Sequence, residues 1–309
     1  MSTFPHRHLL DIERLSATDI TAVLDLAETY AGQNRSANKK SDKLNGKSVV
    51  NLFFEPSTRT RTSFELAAYR LGSDVVNIDI EHSSTKKGET LLDTVLNLDA
   101  MQIDALVIRH AEDGVPQFIA PQMKASVINA GDGKNEHPTQ ALVDAFTMRR
   151  HKKTLQGLNV AICGDISHSR VARSNVYLLT KLGANVRFIA PSYFMAPSYG
   201  KLNIPTFEDM KEGLTGVDVI MMLRIQHERM AQGEFAVSLK DYHQRYGLDH
   251  KKLAAAKPDV IVMHPGPINR DVEITSQLAD DPKFSVIHEQ VAAGVAVRMA
   301  VLDLLLSGR

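Results

Sequence analysis

Short apolar runs alternate along this chain with longer segments in which apolar residues recur at helical spacing. That alternation predicts parallel strands joined by crossover helices. The runs with strand character fall into two groups of four, at 49–54, 75–80, 105–109 and 126–130, then at 159–163, 185–190, 217–223 and 259–263. The predicted fold class is therefore α/β, with two domains, each a parallel sheet flanked by helices, and a cleft between them.

A single helical segment separates the two groups of strands. Pro138 suits the first turn of a helix, and basic residues gather near residue 150, where the negative end of the helix dipole lies. We expect this linking helix, about 138–150, to begin the second domain, which runs to 287. The first domain comprises 1–137 together with the final segment, 288–309. That segment is apolar on more than one face, which predicts a largely buried helix.

Composition and charge restrict the setting in which the protein works. The 36 basic residues balance the 36 acidic residues, so no net charge favours nucleic acid or an anionic membrane. The single cysteine, Cys163, excludes an internal disulfide and fits a reducing compartment. Residues 1–10 contain no long apolar run, so we expect no secretory signal, and the sequence has no run of roughly 20 apolar residues that could span a bilayer. We expect a cytoplasmic protein with no nucleic-acid or membrane partner.

The most informative group of polar side chains follows the first predicted strand. After Phe54 the chain continues Glu-Pro-Ser-Thr-Arg-Thr-Arg, and helical spacing begins soon afterwards. At such a junction the free backbone N–H groups and the helix dipole favour an anion. A helix cap with surface arginines is the alternative for a lone Ser-Thr pair. Three hydroxyls with interleaved arginines instead favour a phosphate site, formed by Ser57, Thr58, Arg59 and Thr60.

This segment resembles the carbamoyl-phosphate motif shared by aspartate and ornithine carbamoyltransferases. Other segments match that family in the same order along the chain: Lys86-Lys87-Gly88-Glu89-Thr90, Arg109-His110, His137-Pro138-Thr139-Gln140, Gly164-Asp165, Arg224-Ile225-Gln226 and His264-Pro265-Gly266-Pro267. Each segment alone is a weak signal, whereas their joint order over nearly the whole chain is specific. The resemblance implies that the first domain binds carbamoyl phosphate, that the second binds aspartate, and that the active site lies in the interdomain cleft.

The implied reaction transfers a carbamoyl group from carbamoyl phosphate to L-aspartate, the committed step of de novo pyrimidine biosynthesis. Carbamoyl phosphate is already activated, so no cofactor and no metal are expected. Negative charge grows on the carbonyl oxygen during the attack, and fixed donors there stabilise the transition state. By resemblance, the catalytic residues are Arg59, Thr60, Lys87, Arg109 and His137. The carbamoyl phosphate-binding residues are Ser57, Thr58, Arg59, Thr60, Ser83, Arg109, His137, Gln140, Gly266 and Pro267.

Aspartate has two carboxylates and requires cationic partners. By resemblance these partners are Lys87, Arg170, Arg224 and Gln226. Position along the chain supports the two arginines, since Arg170 follows the turn after one predicted strand and Arg224 ends another. The carboxyl ends of strands are where open α/β sheets bind ligands. A surface salt bridge is the alternative for either arginine taken alone.

The polar stretch 83–89 has the composition of a solvated loop. In aspartate carbamoyltransferases the matching serine and lysine enter the active site of a neighbouring subunit, which implies a homotrimer with shared active sites. Lys87 aligns through the Gly-Glu-Thr that follows it, while Ser83 and Ser84 compete for the serine role. The sequence leaves open whether regulatory chains or a dihydroorotase-like partner join the trimer.

Two other functions are compatible with parts of the pattern. Ornithine carbamoyltransferases typically carry a cysteine in a His-Cys-Leu-Pro segment, whereas here the corresponding residue is Pro265. A non-catalytic scaffold paralogue is the second alternative, and the complete set from Ser57 to Pro267 argues against it. The twelve histidines show no His-x-x-x-His spacing, and a single cysteine cannot form Cys-x-x-Cys.

Overall fold

The computed structural model describes residues 4–78, 88–195, 202–225 and 238–307. The chain divides into two compact units. One unit consists of Met1–Phe146 with Val291–Arg309, and the other is Thr147–Gln290. The division falls inside the helix that begins at Pro138.

The first unit is a four-stranded parallel sheet with helices in the connections. Its elements in chain order are α1 (Ala17–Gln33), β1 (Ser48–Phe53), α2 (Thr58–Arg70), β2 (Asp74–Ile78), α3 (Leu91–Ala100), β3 (Ala105–His110), α4 (Val115–Ile119) and β4 (Ser126–Asp132). The strand order is β2-β1-β3-β4. Strands β3 and β4 are buried over most of their length, which explains why apolar residues do not alternate with exposed polar residues along them.

The second unit is a five-stranded parallel sheet. After α5 (Pro138–Lys152), which crosses the division, its elements are β5 (Asn159–Cys163), α6 (Arg170–Lys181), β6 (Asn185–Ile189), β7 (Thr206–Phe207), α7 (Met210–Leu214), β8 (Val219–Met222), α8 (Leu239–Tyr246), α9 (His250–Leu253), β9 (Ile261–Met263) and α10 (Ser276–Ala279). The strand order is β7-β6-β5-β8-β9. The final helix, α11 (Ile287–Leu306), returns to the first unit from Val291 onwards.

The α/β class and the eight predicted strands are confirmed. Strand β7 is an addition that the sequence did not predict, because its two residues pair at the edge of the sheet through Phe188↔Thr206 and Ile189↔Phe207 without an apolar run of their own. The predicted strand 75–80 ends at Ile78, and residues 79–80 lie outside the described part of the chain. Within the described ranges, no helix is long and apolar enough to cross a membrane.

Strand register decides which loops become neighbours. In the first unit Phe53 of β1 pairs with Arg109 of β3, so the segment after β1 emerges beside the end of β3. In the second unit Cys163 of β5 pairs with Met222 of β8, which brings residues 164 and 224 to the same edge of the sheet. Because parallel strands end at one edge, each sheet gathers its candidate functional residues there.

Candidate active site

The N-terminus of α2 offers backbone donors to an anion. Ser57 is the residue before the helix, and within the described part of the chain its hydroxyl forms no capping hydrogen bond. That hydroxyl instead accepts a hydrogen bond from Arg109 Nη1 at 3.3 Å. Thr58 and Arg59 are exposed at the start of the helix, whereas Thr60 is buried. The first turn of α2 thus combines uncapped N–H groups, hydroxyls and a guanidinium, as expected for a phosphate site.

Arg109 is oriented by two neighbours that follow β1. Its Nε donates to Glu55 Oε2 at 3.0 Å, and its Nη1 donates to Ser57 Oγ. The guanidinium is largely shielded from solvent, with 15% of the side chain exposed, so this charge-assisted contact is stronger than a surface ion pair. Strand register accounts for the arrangement, since Phe53 and Arg109 are paired residues of adjacent strands. The result is a cationic fork fixed beside the N-terminus of α2.

A buried carboxylate shapes the connection that presents His137. Asp132 Oδ1 accepts from Asn129 Nδ2 at 2.8 Å and from Glu136 N at 3.1 Å. Its Oδ2 accepts from Gly114 N at 2.7 Å and from Asn135 Nδ2 at 2.9 Å. With four donors satisfied, Asp132 holds the turn between β4 and α5 in one shape. His137 follows this turn directly and is buried.

Gln140 lies one turn into α5, where its backbone N–H donates to His137 O at 3.0 Å. Its side-chain Nε2 donates to Asp144 Oδ1 at 2.8 Å. The first unit therefore gathers seven of the predicted carbamoyl phosphate residues after β1, at the end of β3 and after β4, at one edge of one sheet. These residues are Ser57, Thr58, Arg59, Thr60, Arg109, His137 and Gln140.

In the second unit, Arg170 and Arg224 follow two adjacent strands. Arg170 is the first residue of α6, and Arg224 comes two residues after β8. Gly164, at φ +121°, allows the chain after β5 to pass close to β8, since a Cβ there would lie 3.1 Å from Leu223 O. Asp165 orients the next turn, because its Oδ1 accepts from His168 Nδ1 at 2.8 Å. Both arginines are half-buried at the carboxyl edge of the sheet, where ligands bind.

The segment after β9 is held by a buried histidine. His264 Nδ1 accepts from the N–H of Gly266 at 2.8 Å, so Nε2 carries the ring proton and donates to Glu273 Oε1 at 3.0 Å. Both side chains of that pair are fully buried. Asn269 links the same loop to the strand end beside Arg224, because its Nδ2 donates to Ile225 O at 2.9 Å. Gly266 and Pro267 are thus presented by a loop with fixed ends.

Three predicted site residues lie outside the described residues: Ser83, Lys87 and Gln226. The same is true of Ser84, the alternative to Ser83. Sequence reasoning assigned no role to Glu55, Asp144 or Glu273, whose carboxylates contact predicted site residues or their loops. Glu55 belongs to the motif itself and Asp144 lies one helical turn after Gln140, so both had a local signal, whereas Glu273 had none.

These residues can donate hydrogen bonds to a bound ligand and polarise its carbonyl group. In the described segments, no group of three or more His, Cys, Asp and Glu side chains is placed to hold a metal ion. Burial raises the pKa of the Cys163 thiol, which therefore stays protonated and is a poor nucleophile. Fixed donors beside a phosphate site suit a reaction in which negative charge develops on an oxygen.

Two family models together match nearly the whole chain. Residues 7–150 match the aspartate/ornithine carbamoyltransferase, carbamoyl-P binding domain, and residues 156–305 match the aspartate/ornithine carbamoyltransferase, Asp/Orn binding domain. The chain belongs to the aspartate/ornithine carbamoyltransferase family. The predicted resemblance is therefore confirmed over both units.

Individual relatives within the family are highly similar. The chain is 60% identical to the aspartate carbamoyltransferase catalytic subunit of Rhodospirillum rubrum, covering 98% of this chain and 94% of that one. It is 59% identical to the corresponding subunit of Parvibaculum lavamentivorans, with 98% and 92% covered.

Solved structures of both branches of the family share the fold. Aspartate transcarbamoylase from Trypanosoma cruzi, in complex with carbamoyl phosphate, superposes with a TM-score of 0.88 at 30% identity, with 97% of this chain and 96% of that chain covered. Ornithine carbamoyltransferase from Pyrococcus furiosus superposes with a TM-score of 0.89 at 27% identity over the full length of both chains. The fold alone thus does not separate the two substrates within this family.

Proposed function

We propose that this chain transfers the carbamoyl group of carbamoyl phosphate to the amine of L-aspartate, forming N-carbamoyl-L-aspartate and phosphate. The observation that carries the proposal is the guanidinium of Arg109, held by Glu55 and Ser57 beside the N-terminus of α2. The choice of aspartate over ornithine is supported by relatives at about 60% identity that are named aspartate carbamoyltransferase catalytic subunits.

Carbamoyl phosphate binds to the first unit in this proposal. The phosphate is held by Ser57, Thr58 and Arg59, through hydroxyls, a guanidinium and the backbone N–H groups of the first turn of α2. Thr60, Arg109 and His137 donate to the carbonyl oxygen of the ligand. Removing one such donor typically costs on the order of 10²–10³ in rate, so several together account for much of the catalysis.

The bond changes require no cofactor. The neutral amine of aspartate attacks the carbonyl carbon, a C–N bond forms, and the electrons of the C=O bond move onto oxygen. When the carbonyl re-forms, the bond between carbon and the phosphate oxygen breaks, and phosphate leaves with that electron pair. The ammonium proton passes to the departing phosphate, so no separate protein base is needed. Arg59 stabilises the charge on the leaving phosphate.

The second unit supplies the partners of aspartate. Arg170 and Arg224 bind its two carboxylates, together with Gln226 of the same unit. Lys87, the remaining proposed aspartate ligand, belongs to the first unit. The loop after β9 contributes Gly266, whose carbonyl accepts from the carbamoyl amino group, and Pro267 beside it. In functional terms, residues 1–137 with 288–309 form the carbamoyl phosphate domain and residues 138–287 the aspartate domain.

The same proposal includes a homotrimer with shared active sites, in which Lys87 and Ser83, or Ser84 in its place, reach the site of a neighbouring subunit. The reaction belongs to pyrimidine biosynthesis, and we place the enzyme in the cytoplasm. The place in pyrimidine biosynthesis is supported by the name aspartate carbamoyltransferase that the relatives carry, and the word subunit in that name fits an assembly of chains.

Parallel turnover assays with aspartate and ornithine test the function. Carbamoyl phosphate is supplied in both, and phosphate and the carbamoylated amino acid are quantified. We expect N-carbamoyl-L-aspartate with aspartate and no citrulline with ornithine, and Arg109→Ala should abolish the signal. Citrulline formation would instead indicate an ornithine carbamoyltransferase. Absence of both products from a folded protein would indicate the scaffold alternative.

A further inference from the structure

The side-chain amide of Gln140 is held by a buried carboxylate of its own helix. Nε2 of Gln140 donates to Asp144 Oδ1 at 2.8 Å, across one turn of α5. Asp144 is fully buried, and the Gln140 side chain is half-buried. An amide has one donor end and one acceptor end, so a neighbour that takes the donor end points the carbonyl oxygen elsewhere.

The charge on Asp144 is supported by a buried cation, Arg298 of α11. Arg298 is 4% exposed, and its Nη1 donates to Gly294 O at 3.1 Å and its Nη2 to Thr139 Oγ1 at 3.4 Å. Burial lowers the pKa of Arg298 to about 10, while the negative charge of Asp144 opposes this shift, so the guanidinium is protonated at neutral pH. A carboxylate can only accept hydrogen bonds, so Asp144 Oδ1 takes the donor end of the Gln140 amide.

We propose that Asp144 is a positioning residue that sets substrate specificity: by taking the Nε2 group of Gln140 it presents Oε1 to the amino group of the carbamoyl ligand. This inference rests on the proposed function, which assigns Gln140 to the carbamoyl amide. An acceptor at that place recognises an –NH₂ group and is left unsatisfied by a methyl group. The pair Gln140–Asp144 would therefore distinguish carbamoyl phosphate from acetyl phosphate, which differs by that substitution.

Replacement of Asp144 by its neutral isostere tests the orientation. In Asp144→Asn the new amide can donate to Gln140 Oε1, which turns Nε2 toward the ligand. The N–H donors of Gln140 then face the N–H donors of the carbamoyl group, and no hydrogen bond forms between them. We expect the Kd of carbamoyl phosphate to rise about tenfold or more, while the Kd values of acetyl phosphate and inorganic phosphate change less than twofold. All three constants are measured by titration calorimetry on the full-length enzyme. If the role of Asp144 were merely structural, Asp144→Asn would weaken the binding of all three ligands to a similar extent.

A double-mutant cycle shows whether Asp144 acts through Gln140. Gln140→Ala should lower the preference for carbamoyl over acetyl phosphate, and adding Asp144→Asn should then lower it no further. In the swapped pair Gln140→Glu/Asp144→Asn, one carboxylate oxygen accepts from the asparagine and the other faces the amino group. That double variant should recover part of the preference lost in Asp144→Asn alone.

Asp303→Asn is the matched control, because Asp303 is another buried carboxylate of the same unit that accepts from Tyr30 Oη at 2.6 Å. It should reduce thermal stability and leave the ligand preference unchanged. Should Asp144→Asn fail to fold, the wild-type protein decides through NMR of the Gln140 side-chain amide, assigned by its loss in Gln140→Ala. Slow proton exchange in the free enzyme would support the contact with Asp144, and fast exchange would overturn it.

Two results separate this inference from the function on which it rests. The role of Asp144 is wrong if Gln140→Ala weakens the binding of carbamoyl phosphate but Asp144→Asn does not. It is also wrong if the effects of the two substitutions on the preference are additive. In both cases the proposed carbamoyl transfer is unaffected. If Gln140→Ala leaves carbamoyl phosphate binding unchanged, the assignment of Gln140 is wrong, and the inference is overturned with it.

Discussion

His137 is a buried imidazole at the start of α5, placed by the turn that Asp132 holds. We predict that His137→Ala lowers kcat on the order of 10²–10³-fold, because a donor to the developing oxyanion is lost. The Kd of carbamoyl phosphate should change much less, since the proposed phosphate contacts lie at the start of α2. His151→Ala, at the far end of the same helix, is the control and should leave kcat unchanged. Full kcat in His137→Ala at saturating aspartate would contradict the electrophilic role.

Arg224 is a half-buried cation next to the end of β8. We predict that Arg224→Ala raises the aspartate KM by a factor that corresponds to about 2–5 kcal/mol, the usual cost of removing one partner of a buried charge pair. Carbamoyl phosphate binding should be nearly intact, because its proposed phosphate ligands belong to the first unit.

An exposed arginine of the same unit provides the control for this variant. Arg270 pairs with Asp280 on the surface, with 46% of its side chain exposed, and surface ion pairs of this kind contribute little. Arg270→Ala should therefore leave the aspartate KM unchanged. The role of Arg224 as an aspartate ligand is wrong if both variants show the wild-type KM in steady-state kinetics.

At the scale of elements, helix α7 packs so closely on the second sheet that one of its positions has no room for a side chain. A Cβ at Gly213 would lie 2.7 Å from Ile189 Cδ1 and 3.0 Å from Phe207 Cβ. We predict that Gly213→Ala lowers the free energy of unfolding by about 1–3 kcal/mol through overpacking, measured by chemical denaturation.

Gly32 provides the matched control in helix α1. A Cβ there would meet no atom within 4 Å. Gly32→Ala should thus be neutral or stabilising by up to about 1 kcal/mol, because alanine has the higher helix propensity. Equal effects of the two substitutions would show that helix propensity, rather than the close approach of α7 to the sheet, decides the outcome at Gly213.

At the scale of the whole molecule, the proposed shared site makes a prediction about mixed trimers. Lys87→Ala and Arg59→Ala enzymes should each be nearly inactive, since each lacks a cation of the site. In a trimer reassembled from both, one interface pairs an intact Arg59 with an intact Lys87 of the neighbouring chain. Such hybrids should recover up to about one third of wild-type activity, as head-to-tail contacts in a closed ring require.

The experiment requires proof that subunits have exchanged. Native mass spectrometry of differently tagged chains detects the mixed trimers. Arg14→Ala, which removes an exposed arginine of the first unit, should be active before and after mixing. With exchange demonstrated, zero recovery at every mixing ratio would mean that each site is formed within one chain, and carbamoyl transfer itself would be unaffected.

Much of the fold followed from local pattern alone. All eight predicted strands occur. Most of them are buried on both faces of a parallel sheet, which favours apolar runs, whereas the edge strand β2 is largely exposed. The two-residue strand β7 was not predicted, because its own residues form no apolar run. It is a strand only because it pairs with β6 at the edge of the sheet. The strand-to-helix junction at Ser57 was also predicted locally, and the hydroxyls and arginines proposed to bind phosphate are consecutive there.

The sequence by itself determined the α/β class, the order of strands along the chain and the family motifs, because each depends on residues close together in the chain. Tertiary structure decided which of these residues touch. Glu55 meets Arg109 through strand register, His264 is paired with Glu273 inside a loop, and Arg298 reaches Thr139 from the last helix. Such contacts depend on sheet order and on which carboxylates become buried. Local periodicity predicts neither the sheet order nor the burial of a carboxylate. A charged side chain is buried only where the complete fold provides a partner for it.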